Sequence, residues 1–207
     1  MAEKYGLRFA NSDGSLLMEV GPHVVKDVTG FSERIGAIAA CWAQAEVSLY
    51  CLFAVLLNVT PDEAASRLKK YKTAAQATEG ARTIAADHLS GEELQRLNEI
   101  LDRMDLVRAR RNRIQHDVWA RKGGIDDTLF AVHANQYLDF ATKILCTSGL
   151  GDSEDFDGII ALVGEFSDSV SVGYTVSELK ALESELSDLN KDLMSAMFTR
   201  ILARKEG

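Results

Sequence analysis

Apolar residues recur at alternating spacings of three and four along three long stretches of this chain, the period that turns one face of a helix toward a neighbour. In the first stretch Ile35, Ala39, Trp42, Glu46, Leu49, Phe53 and Leu56 mark the seam of a helix expected over about Glu33 to Asn58, with Ser32 as its N-cap. In the second, Leu97, Ile100, Met104, Val107, Arg111, Ile114 and Val118 follow the capping box Ser90-Glu93. A helix is therefore expected from Gly91 through Trp119, where Lys122-Gly123-Gly124 stops it. The third opens on the capping box Thr175-Glu178 and carries Leu179, Leu182, Leu186, Leu189, Leu193 and Ala196 at heptad spacing to about Ala203. Between the first two, Thr60-Pro61-Asp62-Glu63 has the cap, the proline and the first-turn acids of another helix start. That pattern continues to about His88, with breaks expected near Lys72-Thr73 and Glu79-Gly80.

Outside these stretches the period changes. Leu7 to Ala10 and Leu16 to Val20 flank Asp13-Gly14, which predicts a turn and a short hairpin closed by Gly21-Pro22. Thr128 to His133 alternates like a strand, Tyr137 to Cys146 fits helix or strand, and Gly149 to Gly158 reads as an acidic loop. Ile159 to Val163 and Ser169 to Tyr174 look extended. The fold class predicted is mainly α: an antiparallel helical bundle with a small β-containing excursion between the central and C-terminal helices. Residues 1–30 form an N-terminal arm, and 31–207 a single bundle domain with the excursion at about 125–173.

Two seam positions carry the wrong chemistry. Arg111 stands where the pattern asks for leucine, and burying a guanidinium without compensation costs several kcal/mol. Glu46 occupies the equivalent place in the first helix, so the two are expected to approach each other. Such a pair serves register alone, or holds the guanidinium for use in a site.

Composition narrows the functional classes. With a net charge of −8, bulk electrostatic coating of nucleic acid is disfavoured, yet residues 103–122 hold seven basic side chains against two acidic ones. Arg67, Lys69, Lys70 and Lys72 form a second basic group, read as a solvated helix end in preference to an RNA-contacting patch. Cys41, Cys51 and Cys146 lack the spacing of a zinc site and read as small core residues, and the acids near 149–158 lack that of a calcium loop. No metal or cofactor is expected. His23 and His88 read as a surface residue and a helix-terminal one. Glu3, Lys4 and Arg8 interrupt any leader-like run, which points to the cytoplasm. Ile35 to Leu57 spans 23 residues with one charge, long enough for a membrane, but Gln44, Glu46 and Ser48 at its centre favour a buried helix.

The run Arg110-Arg111-Asn112-Arg113-Ile114-Gln115-His116 places Asn112 and His116 one turn apart on the same edge of the helix, next to Arg111. Arg, Asn, three residues and His resembles the motif of the HEPN superfamily, helical-bundle proteins many of which are metal-independent ribonucleases. The likeness covers roughly residues 31–120 and 175–204, through the order of an apolar helix with a buried acid, a helical connection, the motif helix and a closing amphipathic helix. It implies a homodimer in which two motif copies share one cleft. There Arg111 pins the phosphate, Asn112 orients, His116 moves protons, Glu46 supports Arg111, and Arg108, Arg110 and Arg113 contact RNA. It further implies an endoribonuclease using the ribose 2′-hydroxyl as nucleophile, in the setting of a toxin or phage-defence effector restrained by an inhibitor protein. The alternative reading is a catalytically silent HEPN-like module that binds RNA, a nucleotide or a partner protein. A third is a helical dimer in which Arg111, Glu46 and His116 form a satisfied polar core.

Overall fold

The computed structural model describes residues 6–69, 74–148 and 155–203, and is mainly helical with a small sheet. In chain order these residues form β1 (Leu7–Ala10), β2 (Leu16–Val20), α1 (His23–Asp27), α2 (Phe31–Leu57), α3 (Pro61–Lys69), α4 (Ala74–His88) and α5 (Gly91–His116). There follow β3 (Val118–Lys122), β4 (Thr128–Val132), α6 (Ala134–Ser148), α7 (Asp155–Ser169), β5 (Gly173–Thr175) and α8 (Val176–Ala203). By its internal contacts the chain divides into two units, Met1–Gly36 with Asn112–Lys180 and Ala37–Arg111 with Ala181–Gly207. The divisions fall inside α2, α5 and α8.

The first unit is built on a five-stranded antiparallel sheet in the order β1-β2-β3-β4-β5. The hairpin expected at Asp13-Gly14 is present: Gly14 takes φ 82° and the Asp13 carboxylate accepts from the Ser15 amide at 2.9 Å. Rather than standing apart, the arm lends β2 to the sheet, with Met18, Glu19 and Val20 opposite Lys122, Arg121 and Ala120 of β3. One face buries Met18, Val20, Ala120, Phe130 and Val132 against Phe140 and Ile144 of α6 and Val163 and Phe166 of α7. On α6 and α7 the rings of Phe140 and Phe166 stack at 3.9 Å. Alternation along the strands sends Glu19, Trp119 and Arg121 to the other face, where Phe31 and Tyr174 meet the Trp119 ring edge-on at 6.1 and 5.9 Å.

Several expectations change here. The central helix stops at His116 instead of Trp119, because Val118 and Trp119 find cross-strand partners in Val132 and Ala131; β-branched and aromatic side chains suit that pleated surface better than a last helical turn. Ile159 to Val163 belongs to helix α7, which buries Val163, Phe166 and Val170 at helical spacing, and only Gly173–Thr175 of the second extended stretch is a strand. Tyr137 to Cys146 lies within helix α6. Of the acidic loop, residues 149–154 lie outside the described residues and Asp155 to Gly158 begin α7. Ser32 is already inside α2 and donates to the Val25 carbonyl at 3.1 Å rather than capping. The Thr175-Glu178 box forms in full: the Glu178 amide donates to Thr175 Oγ1 at 3.2 Å and the Thr175 amide donates to the Glu178 carboxylate at 2.7 Å.

The second unit is helical. Its α2 and α8 run the same way, Asn190 beside Cys41 and Ser48 and Met197 in a groove with Cys51 and Val55. Antiparallel to α8 runs α5, fixed by Arg103–Asp192 and Arg110–Glu185 bridges. Leu182, Leu186, Leu189 and Leu193 are fully buried, as the heptad pattern predicts. Thr60 caps α3 by accepting from the Glu63 amide at 3.2 Å. The expected break at Glu79-Gly80 is absent, α4 being continuous there, and the one near Lys72-Thr73 lies outside the described residues. Arg67 is bridged to Glu63 at 2.7 Å, while the side chains of Lys69, Lys70 and Lys72 lie outside the description. Helix α2 is long and apolar enough to cross a membrane, but Trp42, Leu49, Leu52 and Phe53 are buried inside the fold. Cys41 and Cys51 are half-buried and Cys146 is exposed, so the last is not a core residue.

Glu19 is the buried charge of the sheet. It accepts from Arg121 at 2.6 Å and lies 2.9 Å from His23, which is a partner of that carboxylate and not the plain surface residue expected. Burial opposes the charge of Glu19, but the hydrogen bonds from Arg121 and His23 outweigh it and hold the carboxyl below its ordinary range. A depressed folded pKa contributes stability above the ordinary value of about 4.5 and loses it as the pH falls through the folded value. Glu19→Gln is expected to cost roughly 3 kcal/mol in urea unfolding at pH 7, with the difference from wild type shrinking under acid conditions. An unchanged difference at acid pH would show that the ionised carboxylate is not the source of the stability.

Candidate functional site

Helix α5 presents the motif in its last turn and a half. Ile114 points inward and is 1 % exposed, which fixes the rotation of the turn around it. Asn112 and His116, one turn apart, are consequently both exposed on one edge. Two side chains between them tie the turn down. Gln115 Nε2 donates to the Ile35 carbonyl at 3.2 Å, and Arg113 donates to Asp117 at 3.0 Å and to the Ala131 carbonyl at 3.3 Å. Among the described residues no ion pair or hydrogen bond is made by the His116 imidazole. The ring stands in solvent on a clamped turn.

Arg111, the residue before Asn112, is half-buried. Its guanidinium carbon lies 5.8 Å from the centre of the Trp42 ring on α2, within reach of a cation–π attraction. The expected pairing with Glu46 is not formed: among the described residues no ion pair joins the two. The buried stripe of α2 runs Ile38, Trp42, Ala45, Leu49, Leu52 and Leu56. Ala45 thus takes the inward position that the seam assigned to Glu46, which sits half-buried on the flank. Its charge is felt at Tyr50, whose phenol is raised above its ordinary pKa first by burial and then by that carboxylate. Glu46 therefore lacks the direct contact that would support Arg111, and the aromatic ring of Trp42 lies where that support was sought.

The flanking arginines are engaged within the fold. Arg108 bridges Asp105 at 2.6 Å and donates to Thr78 at 3.3 Å, Arg110 bridges Glu185 at 2.6 Å, and Arg113 makes the contacts just given. With Arg103 on Asp192 and Arg121 on Glu19, the basic excess of residues 103–122 is largely matched by carboxylates from elsewhere in the chain. Of the three, Arg110 is the most open, and exposed pairs of its kind are weak enough to exchange for a phosphate. Trp42 was legible only as a seam residue, since its role depends on another helix.

Comparison with protein-family models, with curated proteins and with solved structures finds no match to this chain.

A double-mutant cycle tests the cradle under Arg111. Trp42→Leu, Arg111→Met and the double variant, unfolded in urea, are expected to give a coupling of about 0.5–1 kcal/mol. A coupling of zero would mean that the ring does not hold the guanidinium.

Proposed function

We propose that this chain is a metal-independent endoribonuclease of the HEPN kind, acting in the cytoplasm as a homodimer whose two motif-bearing helices form one composite site. One observation carries the reading: Asn112 and His116 stand exposed together on a turn that Ile114, Gln115 and Arg113 hold still, directly after a guanidinium set against Trp42. RNA supplies its own nucleophile, so the protein has to move protons and stabilise charge. The His116 imidazole takes the proton of a ribose 2′-hydroxyl, and the oxygen attacks the adjacent phosphorus. Arg111 donates to the non-bridging oxygens as charge accumulates there, a task suited to its planar fork of donors. Asn112 orients the imidazole or the phosphate. The departing 5′-oxygen takes a proton from the histidine of the second copy, leaving a 2′,3′-cyclic phosphate and a 5′-hydroxyl. DNA has no 2′-hydroxyl and is not cut. An activity of this kind suits a toxin or phage-defence effector held in check by an inhibitor protein.

A second reading has an observation of its own. Because Arg108, Arg110 and Arg113 each already have partners in the chain, the surface offers RNA less free positive charge than the sequence promised. That balance suits a catalytically silent module that binds RNA, a nucleotide or a partner protein.

Cleavage of single-stranded RNA in the presence of chelator separates the two. Wild type is expected to cut, and Arg111→Ala and His116→Ala to fall by about 100-fold or more, with cyclic phosphate at the new ends. Equal cutting by all three proteins would remove the motif from the chemistry; binding by wild type without cutting would select the silent module.

A further inference from the structure

Away from the motif, the helical second unit encloses a cavity of about 70 Å³ with an apolar floor and a charged mouth. Leu52 and Leu56 of α2 and Leu97 of α5 form the floor, each 2 % exposed. At the mouth stand Glu93 and Arg96 of α5 and Arg200 of α8. Two guanidiniums against one carboxylate leave a single positive charge.

The donors at this mouth are under-used. Arg200 meets Glu93 only at 3.8 Å, beyond hydrogen-bonding distance, and among the described residues its buried Nε has no acceptor. Arg96 makes one long bond, 3.3 Å, to the Ser195 hydroxyl. A buried donor without an acceptor is costly, and a guanidinium offers five of them in a plane that matches a carboxylate. Other arginines of the same unit show the contrast: Arg103 and Arg110 hold carboxylates within 2.6 Å.

From these features we infer that the cavity is a binding site for a small alkyl carboxylate. The carboxylate lies between Arg200 and Arg96 and accepts from their terminal guanidinium N–H groups. The hydrocarbon tail enters between the leucines, where it displaces water from an apolar surface. Since a water needs about 10–15 Å³ of such space, the cavity takes a chain of about four or five carbons. The net charge at the mouth matches one anionic group, so a neutral alcohol loses the head contact and an amine is repelled. This site and the ribonuclease reading stand independently, since no residue is shared between them.

Titration of the full chain with sodium pentanoate, followed by calorimetry and by amide shifts, tests the inference. Saturable binding is expected, with 1-pentanol, pentylamine and acetate each at least about tenfold weaker, for want of the head, the right charge or the tail. Arg200→Met is expected to weaken pentanoate by about tenfold or more. Ala196→Phe, which fills the cavity from its half-buried wall, is expected to abolish binding while the melting curve stays cooperative. Equal affinity for pentanol and pentanoate, undiminished binding by Arg200→Met or Ala196→Phe, or no saturable binding by the wild type would each overturn the assignment.

Discussion

A helix that carries six arginines between positions 96 and 113 can pack only if each guanidinium finds compensation within reach, and that constraint governs how α5 is placed. Inside the helical unit the matching carboxylates come from α8 at Asp192 and Glu185, and from α5 itself at Asp105. Arg82 of α4 adds the complementary contact, donating to Asp102 and Asp105 at 2.6 and 3.0 Å. The leucine seams set which faces meet, and the ion pairs set how far one helix has slid along the other. Each exposed pair contributes little alone. Their shared register is what makes the arrangement specific, since shifting α8 by one turn would set both of its pairs with α5 out of step.

Arg111 belongs to this set and differs from it. Its neighbours are matched to carboxylates on the surface, whereas Arg111 lies over an indole at the edge of the buried stripe. An aromatic face restrains a guanidinium by attraction to its plane. The Trp42 ring thus stands beside the guanidinium of Arg111 where the sequence pattern had looked to Glu46.

Long helices were legible from the sequence because burial repeats along them: Leu182 to Leu193, Leu97 to Val107 and Thr175-Glu178 all behave as their spacing requires. Strand β3 was hidden because Val118 falls at the next seam position of α5, so a helical period ran on into a segment that sheet partners claim. Helix α7 was hidden by Gly158, Gly164 and β-branched neighbours, which favour extended reading until the burial of Val163, Phe166 and Val170 is known. At the candidate site, the edge shared by Asn112 and His116 followed from helical spacing alone. What could not be read was the single-residue rotation that puts Ala45 inward and Glu46 aside, nor the joining of Glu19 to Arg121 across 102 positions. Partners that far apart leave no local trace.

The pairing of β2 with β3 also shapes how the chain comes to be made. Met18 lies opposite Lys122, 104 residues further on (122 − 18). As the polypeptide leaves the ribosome, the N-terminal hairpin has to wait, with Met18 and Val20 uncovered, while five helices are synthesised before its neighbouring strand arrives. Closing so long a loop is slow compared with forming the helices. During that interval an unprotected strand edge is exposed to chaperones and to other nascent chains, and the sheet becomes the late-forming half of the molecule.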